Sequence, residues 1–386
     1  MELNTIYKYY FAPILTAFTI AAIYGIVVLI LANSNSTDFT AHAHFAKNIL
    51  QSKGTAPPHF IFHIVLICAH KVTGISMLGA SSIAISIFVF VGSLVAFAGL
   101  KNRENSMSPW FIGLATGLLF FSHPIPLTYP FDQTFYFGYI STNVFHNPTI
   151  IALKTVALIQ FVFLSKLLSK NQFEPTGYMS IIVLAFLTIL TVLTKASYII
   201  ILIPALVAVY VLKQLRRNRD DSWLVLLSVG VFVPALLLLL WQHGVFRSDN
   251  SEFGIEFSAF RVFQFRADLW TLFPKLLSSV VLPLSMCLVI GSSILKKVDF
   301  QLSFWMFIIS LFYAYFLVET GPRMTHGNLW WSSQISSFLL LFVCAKYYIG
   351  FIFNSAKKSF KICVPAYIAA AQLVCGILWV YLNIAG

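Results

Sequence analysis

Pro58–Lys71 reads PHFIFHIVLICAHK, and whether it crosses a membrane sets the side of every loop that follows. The stretch has about fourteen residues and carries His59, His63 and His70. A spanning helix takes roughly 20 mostly apolar residues, so this length suits an interfacial or re-entrant helix. The surrounding residues 33–74 also hold Asp38, His42, His44 and a Pro57-Pro58 corner. No other part of the chain is so polar over a comparable length.

The rest is apolar. Hydrophobic residues make up 59% of the 386, charged residues 10%, and the mean hydropathy is +0.85. Soluble domains carry about 25% charged residues, so the composition predicts a polytopic membrane protein of the all-α class. Short loops leave room for a single integral-membrane domain over 1–386 and none for a separate soluble catalytic unit. Any chemistry must lie in loops and at helix ends. The expected spans are 9–32, 76–100, 108–122, 149–169, 178–194, 197–212, 222–242, 275–291, 300–318, 332–350 and 362–383. That is about eleven spans if 58–71 stays at one face.

Positive charge decides the orientation. The formal net charge of +12 forms no compact basic domain, so membrane topology explains it better than nucleic acid does. With the N-terminus inside and 58–71 not crossing, fifteen of the 25 Lys and Arg residues fall in inner loops. These include Lys101 and Arg103, the run from Lys213 to Arg219, and Lys296-Lys297. All nine histidines then fall on the outer side, which points to chemistry there. The outer loops are 33–75, 123–148, the turn at 195, 243–274 and 319–331; the fourth, with Arg247, Arg261 and Arg266, is long for a connector. The five cysteines sit in apolar stretches without ligand spacing and read as small core residues.

Within the first outer loop, TDFTAHAHFAKNILQS places Phe39, Ala43, Ala46, Ile49 and Leu50 on one helical face. Thr40, His44, Lys47, Asn48 and Gln51 take the other, so a short amphipathic helix lies along the surface. Asp38 at its start is either a first-turn acid favoured by the helix dipole or a functional carboxylate. Ser34, Ser36 and Thr37 already suffice as caps. His42 and His44, two apart, face nearly opposite ways, so no single metal ion takes both, although Asp38 and His42 at i, i+4 are within reach of one. His59, His63 and His70 fall at about 0°, 40° and 20° around a helix, one narrow stripe. That stripe is either an interfacial polar edge or the lining of a hydrophilic cavity.

Three cations stand at outer helix ends. Asn147-Pro148-Thr149, after His146, is a strong helix start with Asn as N-cap and Pro at N1. Lys154, a turn and a half later, must either snorkel to the headgroups or face a cavity with an anionic partner. Lys195 occupies the tight turn between two apolar spans. Arg323 lies in ETGPRMTHGNLWW with Glu319, His326, Asn328, Trp330 and Trp331. Together Lys154, Lys195 and Arg323 are suited to converge on a phosphate at the membrane surface.

The first span with an inside N-terminus, the Asp early in the first outer loop (STDFTAHAHFA) and the membrane-hugging PPHFIFH resemble the GT-C superfamily of integral-membrane glycosyltransferases. FHNPT and ETGPRMTHGNLWW are similar to stretches in bacterial membrane proteins of surface-polysaccharide synthesis. The likeness covers the whole chain as architecture, through short motifs. It implies a polyprenyl-phosphate-linked sugar as donor, a glycan or lipid acceptor, and an extracytoplasmic active face on a bacterial plasma membrane. The superfamily's catalytic base or substrate-orienting acid then falls on Asp38. Thr37 stands where many members carry a second acid; no cofactor is required, and a divalent metal remains compatible.

On this reading Asp38 takes a proton from the acceptor hydroxyl and the three cations hold the donor phosphate. His42, His59, His63, His146, Asn147, Glu319, His326 and Asn328 line the substrate cavity. Tyr136, Phe137, Tyr139, Trp330 and Trp331 are candidates to stack on sugar rings. Other readings stay open: an O-antigen-type polymerase, a membrane acyltransferase using a histidine, and a lipid or small-solute transporter.

Overall fold

A computed structural model describes residues 11–32, 37–52, 57–101, 107–169, 177–215, 222–246, 254–265, 268–321, 324–354 and 360–385. The chain is a helix bundle. Helix α1 is Ala12–Leu31, α2 Phe39–Leu50, α3 Ile61–Thr73, α4 Met77–Leu100, α5 Pro109–Phe121, α6 Pro148–Leu168, α7 Gly177–Thr194 and α8 Ile199–Leu215. Helix α9 runs as Ser222–Leu227 and Val233–Phe246 about a π-helical turn at Ser228–Phe232. Then come α10 Leu272–Ile290, α11 Val298–Phe316, α12 Trp330–Asn354 and α13 Phe360–Ala385. Eight of these are long and apolar enough to cross a membrane: α1, α4, α6, α9, α10, α11, α12 and α13. The expected spans at 108–122, 178–194 and 197–212 are helical too, but as α5, α7 and α8 they are shorter.

Helix starts follow the local chemistry. Ser76 caps α4 by accepting from the Gly79 N–H at 3.1 Å, and Asn147 caps α6 by accepting from Ile150 N–H at 3.1 Å. Proline opens α5 and α6, where its missing N–H costs nothing. Helix α3 ends on Gly74 in the left-handed region (φ 71°).

Small residues let helices approach closely. Ser82 and Ser86 on α4 donate to the Gly25 and Ala21 carbonyls of α1 at 2.8 and 3.1 Å. A Cβ on Gly25 would lie 2.2 Å from Ser86 Oγ, so a larger residue there would displace that hydroxyl from its bond to Ala21 O. Thr155 on α6 likewise donates to Phe88 O of α4 at 2.6 Å. Helices α6 and α12 are buried along most of their length and form the centre.

The 123–148 segment, expected as an outer loop, packs into the bundle: Tyr139, Ser141, Asn143 and Phe145 are fully or almost fully buried. The loops also carry a small ribbon in which Ile255–Phe257 (β1) pairs antiparallel with Leu317–Glu319 (β2), Ile255 opposite Glu319. Three residues per strand leave too short a pattern to read from sequence.

Candidate functional site

Asp38 sits at the N-cap of α2, but its side chain makes no capping bond. Instead its Oδ2 accepts from Asn147 Nδ2 at 2.7 Å, across 109 residues of sequence. Its backbone N–H donates to the His146 carbonyl at 3.1 Å, so the two loops are tied at two points. Thr37 Oγ1 turns away and donates to Leu31 O. Asp38 thus stands at the N-cap position without a side-chain capping bond, its carboxyl group turned to Asn147 instead.

Asn147 performs two tasks that fix its amide. Its Oδ1 accepts from Ile150 N–H and from Thr149 Oγ1 (2.9 Å), which leaves the NH2 group to face the carboxylate. Lys195 Nζ donates to Thr149 Oγ1 at 3.2 Å and stands 5.0 Å over the Trp331 ring. A polar chain thus runs from Lys195 through Thr149 and Asn147 to Asp38, at the N-terminus of α6, where the helix dipole also favours an anion. Asp38 is half-buried, and its Oδ1 accepts no hydrogen bond among the described residues. That oxygen is open to a hydrogen-bond donor.

Burial shapes the charges around it. Loss of hydration pushes the Lys195 ammonium down to about 8, against the opposing pull of Asp38. Burial lowers the His146 imidazole to about 4, with Asp38 raising it and Lys195 lowering it further. At neutral pH Lys195 is therefore largely an ammonium and His146 a neutral imidazole. The His146 ring packs against Tyr136 (4.8 Å), Trp331 (5.9 Å) and Trp379 (6.2 Å), closing one wall with aromatic surface. Tyr136 OH accepts from Gln334 on α12.

The histidine stripe divides. Helix α3 begins at Ile61, so His59 precedes it rather than sharing its face. His63 is fully buried and its Nε2 lies 3.0 Å from His42 Nδ1; one ring must donate and the other accept. Burial, then His63 and Lys195, push His42 down to about 2, so this pair is neutral. His70 bonds Ile75 O at 2.6 Å, a helix-end contact. His44 is exposed, facing away from buried His42 as its spacing predicts. Among the described residues no group of three or more His, Cys, Asp or Glu is arranged to hold a metal ion.

Lys154 does not snorkel, and among the described residues it pairs with no carboxylate. It is 2% exposed, donates to Asn143 Oδ1 at 2.6 Å and lies between the Phe338 (5.1 Å) and Phe120 (5.9 Å) rings. A neutral amide oxygen and two ring faces are its partners in the protein. Glu319 pairs with Asn328, whose Nδ2 donates to Oε2 at 2.6 Å, while His326 is exposed. Arg323 lies outside the described residues, as do Ser34, Ser36, Arg247 and Arg266. Of the aromatic candidates, Tyr139 and Trp330 are buried in protein, at 0% and 5% exposure, and are not free to stack on a sugar.

A buried ion pair escapes the sequence reading. Lys275, fully buried near the start of α10, lies 2.6 Å from Asp132 Oδ2 and donates to Thr134 Oγ1 and Phe137 O at 2.7 and 3.0 Å. Gly138 makes room for it: at φ 90° it takes a left-handed conformation, and a Cβ there would meet Lys275 Cδ at 2.8 Å. Burial raises the Asp132 carboxyl, but hydrogen bonds from Lys275 and Thr134 more than offset this and hold it below the usual range. This pair locks the inserted 123–147 segment against α10. A lone lysine in an apolar helix and the single acid of that segment are the signals that could have found it.

Comparisons with models of protein families, with curated proteins and with solved structures give no match for this chain.

Proposed function

We propose that the chain is a membrane glycosyltransferase that moves a sugar from a polyprenyl-phosphate donor to an acceptor hydroxyl at the outer face. The observation that supports this reading best is the convergence on Asp38. A half-buried carboxylate from the first loop is oriented by Asn147 Nδ2, with Lys195 two hydrogen-bonded residues away. A base with one oxygen anchored and one available, beside a cation suited to a phosphate, matches sugar transfer from a phosphate leaving group.

In the proposed reaction Asp38 Oδ1 accepts the acceptor's hydroxyl proton as that oxygen bonds to the anomeric carbon. The bond from that carbon to the phosphate oxygen breaks, and Lys195 stabilises the departing anion. Single displacement inverts the anomeric configuration. Arg323 is placed by sequence to add a second cation, while Lys154 acts through Asn143 by holding the inserted segment. Reaction at the membrane surface with a lipid-linked donor calls for no nucleotide site, and the sequence has no GxxxxGK[ST] loop.

The topology belongs to the same proposal: N-terminus inside, eleven crossings, α3 at the outer face. Asp38 precedes α3 and Asn147 follows it, and the two are bonded, so an even number of crossings separates them. Helix α4 supplies one, and Lys101 and Arg103 on the inner side favour α5 over the equally short α3 for the other. The Gln242 bond to Pro58 O (2.7 Å) and the β1–β2 pairing also join segments that the charge distribution assigns to the outer side. Incubating the purified protein with a radiolabelled polyprenyl-phosphate sugar and mixed glycan acceptors tests the function. Donor turnover supports it; reconstituted flux of the lipid without turnover would assign a transporter instead.

A further inference from the structure

The end of α6 opposite Asp38 is about 30 Å away, at 1.5 Å per residue along the helix. There the bundle opens around a cavity of about 470 Å3 lined by Lys213, Trp223, Lys296, Lys297, Asp299 and Tyr347. Lys213 Nζ stands 3.5 Å over the Trp223 ring, and Lys297 Nζ stands 5.8 Å from the Tyr347 ring centre. Asp299 is the one carboxylate among the described lining residues, and it is already engaged. Its Oδ2 pairs with Lys346 Nζ at 2.7 Å and its Oδ1 accepts from Tyr347 OH at 2.7 Å. Lys346 thus answers the carboxylate of the described lining, while Lys296 and Lys297 stay exposed at the rim.

We propose that this cavity binds the phosphate-bearing headgroup of an anionic membrane lipid, at a site separate from Asp38. Ammonium groups supply donors and no acceptors, which suits phosphate oxygens. The volume is that of a headgroup-sized ligand rather than a lone ion. Buried Trp223 holds the Lys213 ammonium over its face at the cavity wall, and basic pockets between helices take such headgroups. The site is independent of the transfer reaction, so it stands or falls separately.

The test uses the full chain, purified in a neutral detergent and observed by native mass spectrometry. The probes are phosphatidylglycerol, phosphatidylcholine and, as a soluble source of the same chemistry, glycerol 3-phosphate. Wild-type protein should retain phosphatidylglycerol over phosphatidylcholine and over glycerol 3-phosphate. Each lysine removed at the rim should weaken binding about fivefold, so K296Q/K297Q loses roughly 25-fold. K71Q, which removes an exposed lysine beyond the other end of the bundle, should bind as wild type; because all three lysines are exposed, folding is not at stake. Equal retention of the two phospholipids, or of glycerol 3-phosphate and phosphatidylglycerol, would overturn the lipid assignment. So would a double variant that binds as wild type, or a K71Q loss as large as that of the double variant.

Discussion

Asn147 is the position where stability and chemistry can be separated by two substitutions. Its Oδ1 caps α6, and its Nδ2 orients Asp38. Asn147→Ala removes both; Asn147→Ser keeps a capping oxygen, since serine caps about as well as asparagine, but cannot donate to a carboxylate as far away as Asp38. The cap is worth about 1 kcal/mol, so the alanine variant should be less stable than the serine variant by about that amount. A hydrogen bond to a charged group contributes about 1.5–3 kcal/mol, and both variants lose it. Freed of its anchor, Asp38 samples positions about 1 Å or more from the productive one, which costs on the order of 100-fold in kcat. Denaturation of the purified proteins and donor turnover under saturating substrate read the two effects independently. Serine and alanine variants should be almost equally slow yet unequally stable. A serine variant with wild-type kcat would refute the claim that Asn147 positions the base, and equal stabilities would refute the cap.

Other expectations follow from the same geometry. In the proposed reaction Lys195 serves the donor phosphate only when charged, and burial brings its ammonium down to about 8. Donor affinity should therefore fall as pH rises through that value. In Asp38→Asn the carboxylate that raises Lys195 is gone, so the fall should begin at lower pH; an unchanged pH profile would separate Lys195 from the site. Lys275→Ala strands a nearly buried Asp132 and should cost about 3–5 kcal/mol in a denaturation assay. Lys275→Met with Asp132→Asn should recover part of that loss, and Gly138→Ala should destabilise through strain against Lys275. For topology, single cysteines at Lys71 and Arg103 in a cysteine-free chain should label from opposite sides of the membrane.

Much of the helical architecture was legible because a membrane span is written locally, as length and apolarity. Asn147-Pro148 announces α6 for the same reason, since caps are local chemistry. Asp38 could be singled out because nearby caps made an acid unnecessary, and His42 and His44 could be set on opposite faces by spacing alone. What sequence hides is pairing across distance. Nothing in STDFT says that Asn147 will meet Asp38, nothing in FHIVLICAH says that His63 will meet His42, and the Asp132–Lys275 pair joins a loop to a helix 143 residues on. Lys154 shows the converse: its burial was legible, but its partner, an amide oxygen framed by two phenyl rings, comes from packing alone.

The central claim is that Asp38 is the base of a sugar transfer. Its most direct test is the Asp38→Asn variant, near-isosteric and free of any capping role, assayed with a radiolabelled polyprenyl-phosphate sugar that the wild type turns over. The account predicts a protein that folds and melts close to wild type and still takes up the donor, with transfer reduced at least about 100-fold, the low end for loss of a positioned base. Transfer at the wild-type rate would contradict it.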